Sequence, residues 1–217
     1  MELDSAKNLA PTQRLLLLCG VVSPALYAVA DAVAGWSWAE YSFRDFTISE
    51  LGAIGAPTRP LFSSILLLVY VLMLGFGVGV WRVGAHWRSI RFAGGFLIAF
   101  GLLALTVGQF AAMQPRGVEQ GTSGALHLIE GAVAMVLVLS AMVSEATALG
   151  VRFRSYTVAM IVIMLVFGMW SGLDAPRVEA GLDTPWLGVK ERIFWYSYEL
   201  WFAVFAVALL REKRLRV

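Results

Sequence analysis

Six stretches of about 20 mostly apolar residues run through this chain, and nothing else in it limits the fold as strongly. Hydrocarbon offers no hydrogen-bond partner to a bare backbone, so such stretches are read as helices that cross a bilayer. They fall at residues 15–34, 61–81, 92–113, 123–143, 156–172 and 193–210. Composition agrees: 59% of the 217 residues are hydrophobic and 15% are charged, against about 45–50% and about 25% in soluble domains. A chain this short could not hide so much apolar surface in one aqueous core. The expected fold is all-α, a polytopic six-transmembrane-helix bundle forming a single membrane domain over residues 1–217.

Charge sets the expected orientation. Lys7 and Arg14 precede the first span, and Arg82, Arg88 and Arg91 crowd the link between the second and third. Arg152 and Arg154 lie between the fourth and fifth spans, and Arg211, Lys213, Arg214 and Arg216 follow the sixth. That face carries eleven of the 17 basic residues, which places both termini in the cytoplasm by the positive-inside rule. The membrane expected is the prokaryotic cytoplasmic (inner) one, crossed several times. Trp36, Trp38, Tyr41, Trp81, Trp87, Trp186 and Trp195 fall near the expected interfaces. Lys7, Arg14, a leucine run and Ala28-Val29-Ala30 also outline a signal peptide, but uncleaved spans share these features.

Several chemistries are set aside. A net charge of +2 is too mild for nucleic acid. The single Cys19 excludes an internal disulfide and any multi-cysteine metal site, and two histidines argue against a bis-histidine haem. HExxH is absent. No metal and no cofactor are expected. Gly75-x-x-x-Gly79 leaves a homodimer open, although such pairs more often let two helices of one bundle approach.

The ionisable residues inside the spans are few and gather toward one end. Asp31 lies about 5 Å from the outer end of its span, and Glu130 and Glu199 about 9–11 Å in. Gln109 sits near the outer end of span three, and Asp174 follows span five. His127 and Glu130 are three apart and share a helix face, as do Tyr27 and Asp31, and Arg192 and Glu199. Buried charge in a bilayer points inward and is often functional, so these pairs are expected to line one outward-facing polar pocket.

The loop after span one adds to it. Thr47-x-x-Glu50 fits a capping box and Gly55 a helix stop, giving a short outer helix at residues 48–54 with Asp45 and Ser49 free to face a site. Asp183 or Thr184 is expected to cap a helix starting at Pro185 that carries Lys190, Glu191 and Arg192 toward the membrane.

The segment Asp45-Phe-Thr-Ile-Ser-Glu-Leu-Gly-Ala, His127, and Gly188-Val-Lys-Glu-Arg-Ile193 resemble domain-of-unknown-function family 998, prokaryotic six-span membrane proteins. The matching positions are Asp45, Ser49, Glu50, Leu51, Gly52, His127, Glu191 and Arg192. The resemblance implies a helical membrane fold and distant kinship with DRAM-like eukaryotic membrane proteins, and it brings no activity with it.

The leading functional expectation is a pocket that takes an amphipathic or prenyl-type lipid and is equipped for acid–base chemistry. Glu130, His127 and Glu199 are the candidate catalytic groups. Arg192, Asp45, Ser49, Glu50, Asp31, Glu191 and Gln109 are the candidate binding groups, with Arg192 on a phosphate or carboxylate head. Whether a reaction occurs is left open. The competing expectation is a noncatalytic module (partner subunit, lipid sensor or assembly factor) whose polar cluster is structural. A transporter is disfavoured, because the inner half of the spans shows no polar path.

Overall fold

The computed structural model describes residues 9–212, so Lys7, Lys213, Arg214 and Arg216 of the orientation argument lie outside the described residues. Helices α1 (Pro11–Ser37), α2 (Arg59–Val83), α3 (Arg88–Leu103), α4 (Gly121–Glu145), α5 (Val151–Gly172), α6 (Ala175–Glu179) and α7 (Leu187–Arg211) follow in order. Six segments are long and apolar enough to cross a membrane, namely α1, α2, α3 continued to Gly108, α4, α5 and α7, and no strand forms among the described residues. This is a multi-pass membrane protein.

The spans pack as bilayer helices must. Lipid is as apolar as leucine, so helices associate through close van der Waals contact at small residues rather than by escaping water. Gly79 sits against α1 so tightly that a Cβ there would come within 2.9 Å of Leu16. Gly94 meets α2 in the same way, its Cβ position 2.4 Å from the Trp81 nitrogen. Gly75 also faces α1, toward Cys19. The Gly75 and Gly79 pair is therefore used inside the bundle.

The buried centre is aromatic. Phe76 on α2 meets Phe202 and Phe205 of α7, and Trp201 stacks on Phe205 with ring centroids 4.9 Å apart. Helix α7 is the axis, packed on α1 and α5, while α4 leans on α3. Helices α4 and α5 touch little. Helix α5 buries only Thr157 and Met164 and turns Val158, Val162, Val166 and Met169 outward, as a lipid-facing helix does.

Three boundaries differ from expectation. Span three, expected to reach residue 113, is α-helical only to Leu103; a π-helical turn, Ala104–Gly108, follows, and the chain then leaves the helix. The outer helix expected at 48–54 is one 3-10 turn, Ser49–Gly52, with Gly55 at φ +80° after it. Helix α7 starts at Leu187 rather than Pro185 and has no side-chain cap, because its N-cap residue is Trp186, whose indole has no acceptor; the Thr184 hydroxyl donates to the Asp45 carbonyl at 2.9 Å. Trp186, just before it, adopts φ +67°, a left-handed conformation uncommon for a bulky residue.

Candidate functional site

The polar residues do gather at one end, the end bearing the loops at 38–58, 109–120 and 173–186, but they divide into two groups. The first is closed on itself. Arg192 faces Asp31 with two parallel bonds, Nη2 to Oδ1 at 2.7 Å and Nε to Oδ2 at 3.0 Å. Its remaining N–H groups go to the Tyr41 hydroxyl at 2.7 Å and to the carbonyls of Phe43, Phe46 and Gly188 at 2.8, 3.2 and 3.2 Å. A guanidinium has five N–H donors, and all five are engaged. Tyr196 adds a bond to Asp31 Oδ2 at 2.7 Å. Burial pushes the Tyr41 phenol well above its ordinary range, even with Arg192 beside it.

Arg116 repeats this pattern one layer outward. It bonds both oxygens of Glu50 at 2.9 and 3.0 Å, the Thr184 hydroxyl at 2.9 Å, and the carbonyls of Leu182 and Asp45 at 3.1 and 3.5 Å. Glu50 also closes the capping box the sequence predicts, accepting from Thr47 N at 2.7 Å while Thr47 Oγ1 accepts from Glu50 N at 3.2 Å. Lys190 is paired with Asp174. The 38–58 loop lies so close on the first turn of α7 that a Cβ at Gly188 would sit 2.3 Å from the Phe46 carbonyl.

Asp45, expected to be free, is engaged as well. Arg44 grips it at 2.9 Å, the Trp186 N–H reaches Oδ1 at 3.0 Å, and Ser42 donates to Oδ2 at 3.2 Å. The hydrogen bond from Arg44 holds the carboxyl below its usual 3.8, at about 2, against a smaller opposing effect of burial. A lowered folded value means that its stabilising effect is present above the unfolded value and is lost as pH falls through the folded one. The Trp186 emission should therefore shift as pH falls from about 4 toward about 2, reporting release of the α7 start. Asp45→Asn should show no such step; a step that persists in the variant would assign it elsewhere.

These contacts occupy several of the expected binding groups. Arg192, read as a headgroup anchor, has no N–H left for one. Asp31, Asp45 and Glu50, read as binding groups, are bound to the protein itself.

The second group opens onto space. A cavity of about 90 Å³ is walled by Tyr27, Ser49, Arg59, Tyr70, Gln109, His127 and Glu130, among others. Two further cavities, of about 300 and about 320 Å³, adjoin it, and Ser49 and His127 line all three. The largest is bounded by Leu128, Gly131 and Met135 of α4, Leu165, Gly168 and Met169 of α5, and Glu191 and Phe194 of α7. It thus occupies the seam where α4 and α5 scarcely meet. Such volumes are at the small end of ligand sites, about 300–1,000 Å³.

His127 is held with Nδ1 3.0 Å from the Ala111 carbonyl. A carbonyl can only accept, so in the neutral ring Nδ1 carries the proton and Nε2 the lone pair. Nε2 has no hydrogen-bond partner among the described residues. Glu130 stands close to the π-helical turn, its Oε1 3.2 Å from where a Gly108 Cβ would be. Glu191 accepts from the Ile48 N–H and from Ser49 Oγ, the latter at 3.2 Å, and so fixes Ser49 at the junction of the cavities. Gln109, expected in the third span, lies just past the π-helical turn in the smallest cavity.

Glu199 does not join them. It is buried in α7, Oε2 meets no hydrogen-bond donor, and it is absent from the walls of these three cavities. At the opposite end Glu145 is fully buried, accepts from Thr157 Oγ1 at 3.1 Å, and Thr157 in turn accepts from the Trp201 indole at 3.0 Å. Glu145 is the last residue of α4, two positions past the expected end of span four, at the end where the sequence places almost no ionisable residue within the spans. The sequence assigns no role to Arg116 or Arg59; an isolated cation gives no local signal of a partner distant along the chain.

Fold and site together define an all-helical, multi-pass membrane protein with a polar-headed cavity that reaches a seam between two spans. The chain belongs to the DUF998 family, described as a protein of unknown function, whose family model matches residues 21–208. Comparison with curated proteins and with solved structures gives no match.

Proposed function

We propose that this protein binds an amphipathic lipid in the cavities at the loop end and acts on it by proton transfer through His127. The observation that carries the reading is that Ser49 and His127 face three adjoining cavities, one of which lies in the weakly packed α4–α5 seam. A polar end next to an apolar groove is the complement of an amphiphile. Leu128 of α4 and Met169 of α5 line it and are exposed, so a lipid can arrive sideways from the bilayer. His127 Nε2 is the acceptor for a proton, and Glu130 is a second group able to carry one. The membrane proposed is the prokaryotic cytoplasmic one, with both termini inside and the site outside. Arg14, Arg82, Arg88, Arg91, Arg152, Arg154 and Arg211, all at the end opposite the site, support that orientation.

The experiment is lipid retention. The protein, purified in mild detergent and examined by native mass spectrometry, should keep lipid through repeated detergent exchange in a one-to-one stoichiometry. Loss of all lipid at the rate of bulk annular lipid would overturn the reading.

A second reading is favoured by the saturated networks at Arg192 and Arg116. On it the polar end is built to hold loops for a noncatalytic module. Retention of lipid without any conversion of it would favour this reading.

A further inference from the structure

Arg59 is the cation that the loop end leaves unmatched. Arg44, Arg116, Lys190 and Arg192 each face a carboxylate, and Arg177 lies over the Asp183 carbonyl. Arg59 is in no ion pair among the described residues, and its one hydrogen bond is a long one, from Nη1 to the Gly52 carbonyl at 3.4 Å. It is half-buried rather than spread on the surface. Its place in the chain gives no reason for a cation: it is the first residue of α2, where the helix dipole favours negative charge. It stands in the wall of the 90 Å³ cavity with Gly52, Ser63, Gln109, His127 and Glu130.

We propose that Arg59 holds the phosphate head of the lipid whose chain lies in the α4–α5 seam. This rests on the lipid-binding reading above and names the headgroup. At about 90 Å³ the cavity has room for one compact anion. An unengaged guanidinium offers a two-pronged grip on phosphate oxygens. Gln109 and Ser63, which line the same cavity, supply further donors to the anion. Glu130 joins them as a donor when it carries a proton. Arg192, the arginine that sequence spacing recommends for this task, is already saturated.

The test compares dioleoylphosphatidic acid with dioleoylglycerol, which differ only by the phosphate, on the delipidated full-length protein in detergent. Wild type should bind the phosphatidic acid about tenfold or more tightly, the scale of charge-assisted bonds to one phosphate. Arg59→Gln should bring the two lipids to within about twofold while leaving dioleoylglycerol binding unchanged, and Arg177→Gln should preserve the preference. Arg59→Met, which keeps the apolar stem, stands in should the glutamine variant fold poorly. A preference that survives either neutral replacement overturns the assignment of Arg59 and leaves lipid binding intact. Failure of wild type to bind either lipid overturns the lipid-binding reading itself. Inorganic phosphate is the third arm: thermal protection of wild type by phosphate, lost in Arg59→Gln, with no preference between the lipids, overturns the lipid headgroup in favour of the free anion.

Discussion

Replacing Arg192 with glutamine is expected to destabilise the protein by about 3–5 kcal/mol, the usual consequence of removing one member of a buried ion pair. The arginine and Asp31 side chains are only 13% and 5% exposed, so water cannot take over the lost contacts. The variant leaves the Asp31 carboxylate with Tyr196 alone and strips donors from the Phe43, Phe46 and Gly188 carbonyls. Because the damage joins α1, the 38–58 loop and α7, it should appear as a global fall in the thermal unfolding midpoint in detergent. Tyr196→Phe removes a single bond to the same carboxylate and should cost less, about 1.5–3 kcal/mol. Equal midpoints for Arg192→Gln and wild type would mean that the network does not hold these elements together.

His127→Gln should separate chemistry from binding. Glutamine keeps an N–H that can reach the Ala111 carbonyl, so the fold and lipid retention should be nearly unchanged. It has no titratable nitrogen, and removing a positioned proton carrier slows a reaction by about 10²–10⁴-fold. Wild type incubated with the lipid it retains should yield a product of altered mass or chromatographic mobility, and the variant should yield almost none. Product formed at the wild-type rate by the variant would remove His127 from the mechanism.

The spans are legible in the sequence because the bilayer imposes one rule on every one of them: some 20 apolar residues with an internally bonded backbone. The Thr47–Glu50 capping box is legible for a similar reason, since both partners lie within one turn. What is illegible depends on distance along the chain. Arg192 and Asp31 are 161 residues apart, and helical spacing paired Arg192 with Glu199 instead. The end of α3 was misplaced because apolar residues continue past Gly108 with no proline or charge to mark the π-helical turn. Polar groups that line a cavity and those sealed away from it also look identical in sequence. Asp45 and Ser49 are four residues apart in one loop, yet Asp45 is bound by Arg44 and Trp186 while Ser49 faces the cavities.

The seam between α4 and α5 bears on selectivity. A pocket closed on all sides must match its occupant from end to end, and each surplus methylene is a clash. Under the lipid-binding proposal, the tail of a bound molecule runs out here between two helices into surrounding acyl chains. Past that rim one carbon is much like another, since moving a methylene from bilayer to bilayer-facing groove removes nothing from water. Discrimination is therefore concentrated in the few ångströms around Ser49 and His127, and chains of quite different length and unsaturation should be accepted on nearly equal terms.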